Sequence, residues 1–157
     1  METILLNNEL KVSVPETFHI LTQAERESMA SMDQPPSWCI KDMNRHLTMA
    51  AFWRDASRIA LFFVNEQDVI RQVEQAIAKP LQVYGYHLEE WLTQKIGDRT
   101  AAGYRYTYTV NEEHMTACSF VIKGRKTLYY FHVYSWPEME KENRKIWQDL
   151  LEQAVWK

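Results

Sequence analysis

The run Tyr104-Arg105-Tyr106-Thr107-Tyr108-Thr109-Val110 alternates large and polar side chains without a break. In an extended chain successive side chains point to opposite faces, so this spacing predicts a strand with one wholly aromatic face. Such a face needs neighbouring strands and a covering layer. The β-rich runs Met115 to Ile122 and Leu128 to Tyr134 supply neighbours, joined through Lys123-Gly124-Arg125-Lys126. There the glycine can take a positive φ with no Cβ penalty, which predicts a hairpin. Tyr130 and Tyr134 of that hairpin then share the aromatic face.

Earlier in the chain Leu10-Lys11-Val12-Ser13-Val14 also alternates and stops at Pro15, which cannot donate to a ladder. Thr22 followed by Glu25 predicts a capping box opening a short helix to about Met32. Pro35-Pro36 forbids more helix. Trp38-Cys39-Ile40 and Leu47 to Trp53 then read as strands turned by Asp42-Met43-Asn44-Arg45. Ile59 to Val64 is a short apolar run, and its length and two phenylalanines favour a strand. Asn65 caps a helix from Glu66 to Lys79, on which Val69, Ile70, Val73, Ala76 and Ile77 recur at helical spacing and which Pro80 ends. Leu81 to His87 is irregular and aromatic, and a strand follows over Glu89 to Ile96. Ser135 with Glu138 repeats the capping-box spacing, with Pro137 suited to a first turn. Met139, Ile146, Trp147, Leu150, Leu151, Ala154 and Val155 mark the stripe of a closing helix. Hairpins interrupted by helices imply the α+β class, an antiparallel sheet flanked by helices.

The 157 residues suit one domain over 1–157. Apolar residues at 46% and charged residues at 25% are those of a folding globular chain. The formal charge of −3 offers no pull on polyphosphate, so nucleic acid is not an expected partner. Met1-Glu2-Thr3 begins acidic and the apolar run after it ends at Asn7, so no export signal is read. No apolar run approaches the roughly 20 residues that cross a bilayer. A cytoplasmic setting is the expectation, with Cys39 and Cys118 as two reduced, buried thiols.

The motifs G-x-S-x-G, G-x-x-x-x-G-K-[ST] and H-E-x-x-H do not occur. His19, His46, His87, His114 and His132 have no regular ligand spacing, so neither metal nor cofactor is expected. Glu89-Glu90 and Glu112-Glu113 are adjacent and on a strand would point to opposite faces, which makes them solvated charge. The basic tip Lys123 to Lys126 serves solubility. No catalytic residue is assigned. Aromatics at 13% are the unusual feature. Tyrosine and tryptophan are enriched where proteins bind one another. Tyr84, Tyr86, Trp91, Tyr104 and Tyr106 are therefore the candidate binding residues.

The element order resembles the PsbP/Mog1 family, including its bacterial members of undefined role. The resemblance rests on Val12-Ser13-Val14-Pro15-Glu16 with Phe18, the short helix before Pro35-Pro36, and the Gly103 to Val110 strand. It rests also on the Phe120 to Tyr134 hairpin around Lys123-Gly124 and the terminal Trp147-Gln148-Asp149-Leu150-Leu151-Glu152 helix. It implies an α/β/α sandwich and a role in binding proteins. Members bind a small GTPase, support the oxygen-evolving complex or act as chaperones for secreted effectors, and are mostly not enzymes. The expectation is a non-enzymatic adaptor or chaperone-like domain with another protein as partner. The alternatives are a small apolar ligand held in a cavity, or a cysteine-dependent enzyme built on Cys39 or Cys118.

Overall fold

The computed structural model describes residues 1–29 and 34–157. Strands β1 (Glu2–Leu6) and β2 (Leu10–Val14) form a hairpin whose turn residues Asn7 and Asn8 both take positive φ, which asparagine tolerates. The short strand β3 (His19–Ile20) leads to α1 (Gln23–Glu27), opened by the Thr22–Glu25 capping box with both of its hydrogen bonds formed. Met32, the expected end of this helix, lies outside the described residues. Strands β4 (Trp38–Asp42) and β5 (Leu47–Asp55) pair as a hairpin. Two helices follow, α2 (Arg58–Phe63) and α3 (Glu66–Leu81), then a single 3-10 turn over Gln82–Tyr84. Four long strands come next: β6 (His87–Ile96), β7 (Arg99–Val110), β8 (Glu113–Lys123) and β9 (Thr127–Ser135). A 3-10 turn over Pro137–Met139, α4 (Glu140–Glu152) and β10 (Val155–Trp156) close the chain.

Seven strands form one antiparallel sheet in the order β3-β4-β5-β9-β8-β7-β6, and β1, β2 and β10 form a second, three-stranded one. The class is α+β. On one face of the large sheet Met49, Phe120 and Phe131 meet Trp147, Leu150 and Leu151 of α4 together with Leu10 and Val12 of β2. Burying each of these side chains is worth about 1.5–3 kcal/mol. On the other face Tyr104, Tyr106, Ala117 and Val121 lie beneath Ile70, Val73 and Ile77 of α3. Leu21, Cys39 and Ala50 form a smaller cluster near the β4 edge.

Several expectations need correction. The closing helix stops at Glu152, so Ala154 and Val155 lie beyond it, Val155 in β10. Ile59 to Val64 is helix α2, not a strand: Ser57 accepts the Ala60 N–H at 3.1 Å and only Leu61 of the run is buried. Strand β5 already has β4 and β9 on its two sides, which leaves the run no slot beside it in the sheet. Pro80 does not end α3; it sits in the last turn, and the helix runs on to Leu81. Gly124 does not adopt positive φ. It provides room instead, since a Cβ there would collide with the Glu9 carboxylate and stand 2.7 Å from the Tyr129 ring. Ser135 does not cap the last helix: its hydroxyl donates to the Trp136 carbonyl and accepts from the buried Asn143 amide at 2.8 Å.

Candidate functional site

Large exposed apolar side chains concentrate on α2. Ile59 is 75%, Phe62 80% and Phe63 78% exposed, although Leu61 between them is 4% exposed. A six-residue helix is too short to persist alone, and two outside groups hold this one. Ser57 caps its start, and the Lys123 ammonium donates to the Leu61 and Val64 carbonyls at 3.2 and 3.0 Å. Asn65 then caps α3 by accepting the Gln67 N–H at 2.9 Å. Glu66 accepts the Lys123 backbone N–H at 3.3 Å. Burial raises the Glu66 carboxyl above its ordinary range, partly offset by that N–H.

Beside α2 lies an open hollow of about 420 Å³, rimmed by Phe62 and Phe63 and floored by Thr93, Thr100 and Ala102. Thr93 belongs to β6, the outer strand of the large sheet. Trp91, two residues away and on the same face, is 47% exposed. An apolar prow, a hollow and the outer strand of the sheet therefore lie together.

The predicted aromatics divide. Tyr104 and Tyr106 stack at 5.1 Å between ring centroids and are 0% and 1% exposed beneath α3, out of a partner's reach in the folded chain. Tyr86 packs on Tyr106 at 5.6 Å and donates to Glu74 at 2.5 Å, while Trp91 packs on Tyr104 at 5.5 Å. Burial raises the phenols of Tyr86, Tyr104 and Tyr106, keeping them protonated. These four make one continuous row. Tyr84 stands apart in the 3-10 turn and is 44% exposed. Of the five, Trp91 and Tyr84 are thus exposed and Tyr86 is half-buried, while the more exposed Ile59, Phe62 and Phe63 are not among the predicted residues. The signal for them was Ser57, a helix cap directly before a run assigned to a strand.

The polar groups of the sheet do not assemble into a nucleophile. Ser119 and His132 are hydrogen-bonded at 2.7 Å, but Ser119 is fully buried, and among the described residues no carboxylate hydrogen-bonds to the ring. Burial pushes His132 down to about 4. It pushes the Cys39 thiol up to about 11 and Cys118 up to about 12, so neither is a thiolate near neutrality. Cys39 and His132 flank Ala50 across β4, β5 and β9, which separates them by two strand spacings, roughly 10 Å. Among the described residues no three His, Cys, Asp or Glu side chains cluster to hold a metal. No described helix is long and apolar enough to cross a membrane. Glu112 lies in a turn at φ +66° and not on a strand; it and Glu113 are both exposed and line one cleft.

No family model matches the chain, and no curated protein matches its sequence. Among solved structures, cyanobacterial PsbP (CyanoP) from Synechocystis sp. PCC 6803 superposes with a TM-score of 0.64 at 11% identity. The match covers 94% of this chain and 86% of that one. LpqN, involved in cell envelope biogenesis of Mycobacterium tuberculosis, gives 0.58 at 14% identity over 94% and 82% of the two chains. The fold is PsbP/Mog1-like. At these identities the likeness concerns the path of the chain and transfers no residue role. The surface chemistry of this PsbP/Mog1-like domain, α2 included, has to be argued from its own side chains.

Proposed function

We propose that this PsbP/Mog1-like domain is a non-enzymatic protein-binding module of the adaptor or chaperone type, docking its partner on α2 and the hollow beside it. The observation that carries this reading is the near-complete exposure of Ile59, Phe62 and Phe63 on one helical turn. Covering each would contribute about 1.5–3 kcal/mol, a driving force that the free chain leaves unused. Trp91 supplies an aromatic anchor at the rim, of the kind that dominates interface energetics. Two buried free thiols with raised pKa values support a reducing, cytoplasmic setting and argue against cysteine-dependent chemistry. A small apolar ligand has less support, because the hollow is open and Asn65, Glu66 and Lys123 line it beside the phenylalanines.

The test is the double substitution Phe62→Ser with Phe63→Ser. Both side chains are about four-fifths exposed, so the variant should fold with a loss of less than about 1 kcal/mol. Immobilised wild-type protein should retain a specific partner from its native cell extract, and the variant should not. Equal retention by both proteins would remove α2 as the docking site.

A further inference from the structure

Strand β8 ends at α2 with Lys123, and it begins ten residues earlier at Glu113, about 33 Å away by the rise of a strand. A second, unrelated cleft opens at that far end. Its volume is about 460 Å³, and its lining comes from three separate turns. The β4–β5 turn contributes His46, and the β7–β8 turn with the start of β8 contributes Glu112, Glu113 and His114. The segment after β9 contributes Trp136, Glu138 and Met139.

The turn chemistry explains the convergence. Asn111 and Glu112 both take positive φ, +53° and +66°, which makes a tight reversal. The reversal lifts Glu112 out of strand alternation and sets it beside Glu113. His46, at φ +49°, lays its ring flat on Trp136, with centroids 3.4 Å apart and planes within 3°. The indole is thereby held as a fixed wall.

Three glutamates, the two histidines His46 and His114, Trp136 and Met139 thus share the lining, which contains no Lys or Arg. A smaller hollow of about 200 Å³ shares the His46–Trp136 wall and is lined by Lys41 and Asp42. Asp42 is 3% exposed and its Oδ2 accepts no hydrogen bond; Arg45 Nε lies 3.5 Å away. An anion entering the larger cleft would meet three carboxylates and no Lys or Arg. A hard metal ion would want convergent oxygen ligands in place of an apolar floor, and no such cluster forms among the described residues. A cation carried on a flat or apolar stem satisfies both halves of the lining, the glutamate charge and the indole surface that His46 leaves uncovered.

We propose that this cleft binds an organic cation, a guanidinium or ammonium head on a short apolar stem. The cation is either a free small molecule or the side chain of an arginine or lysine in a peptide. The site is independent of the α2 face, so failure of either proposal leaves the other standing.

The experiment is an NMR titration of the full chain that follows the Trp136 indole N–H and the Glu113 and Glu138 amides. The ligands are agmatine, a blocked Gly-Arg-Gly peptide and its citrulline counterpart. Both cations should shift these resonances at millimolar concentration, and the uncharged citrulline peptide should not. Replacing the glutamates together (Glu112→Gln, Glu113→Gln, Glu138→Gln) should weaken binding about tenfold or more, since each exposed ion pair contributes modestly. Trp136→Leu should weaken it about threefold, the scale of an exposed cation–π contact. Tighter binding of the arginine peptide than of agmatine assigns the site to a peptide; equal binding assigns it to a free cation. Equal shifts with the citrulline peptide, or undiminished affinity of the folded triple variant, overturn the proposal.

Discussion

Substituting Lys123→Met removes the clamp on α2 while preserving most of the aliphatic stem. The ammonium donates to two carbonyls, those of Leu61 and Val64, at 3.2 and 3.0 Å. Charge-assisted bonds contribute about 1.5–3 kcal/mol each when buried. Lys123 is only half-buried, so water recovers part of that sum and about 1.5–3 kcal/mol in total is the expected loss. The loss falls on α2 because this helix has one buried side chain and too few residues to stand alone. The Leu61 amide donates to the Ser57 carbonyl and the Val64 amide to the Leu61 carbonyl. Native-state hydrogen exchange at those two amides should therefore accelerate about 10- to 100-fold, a factor of ten for each 1.4 kcal/mol. Amides of the paired strands β8 and β9 should keep their wild-type protection. Unchanged exchange at Leu61 and Val64 would show that α2 is held by something other than Lys123, and would refute the clamp.

Gly124→Ala should lower stability by about 1–3 kcal/mol in urea denaturation, because the new methyl drives the Glu9 carboxylate from the Tyr129 hydroxyl and the Lys126 N–H. A wild-type midpoint would mean that Glu9 turns aside at no cost. His132 is neutral when folded, with its pKa held down to about 4 by burial against an ordinary value near 6.5. Its contribution is therefore complete above pH 6.5 and is lost as pH falls toward 4, about 3 kcal/mol in all. A His132 ring resonance titrating near 6.5 in the native protein would contradict this. Cys39 and Cys118, raised to about 11 and about 12, should resist alkylation at pH 8 and react only on denaturation; labelling of the native chain at the rate of a free thiol would show that the sheet opens at one of them.

The legible parts were those whose signals are local. The Tyr104 to Val110 alternation survives as β7, the Thr22–Glu25 box forms both of its bonds, and the Asn65 cap starts α3. The errors fall where a distant group decides. Ile59 to Val64 has the composition of a strand, and it becomes a helix through Ser57 at one end and a lysine 59 residues from Val64 at the other. Gly124 is required because Glu9, from the opposite end of the chain, occupies the space its side chain would take. Ser135 has the spacing of a cap but is claimed by the buried Asn143. Among the proposed binding residues, alternation placed Tyr104 and Tyr106 on one face correctly; nothing in that pattern said that α3 would lie over them.

Period-two and capped helical stretches determined the α+β class, the long hairpins and the aromatic face, because each depends on the geometry of a few successive residues. Which apolar groups stay in water was decided only by packing. Exposure is what remains after every helix has chosen the sheet face it covers, and α2 reaches the surface with Ile59, Phe62 and Phe63 uncovered because α3 occupies the sheet that would have hidden them. The meeting of Glu112, Glu113 and Glu138 beside Trp136 is tertiary for the same reason: three turns far apart in the chain share one end of the sheet.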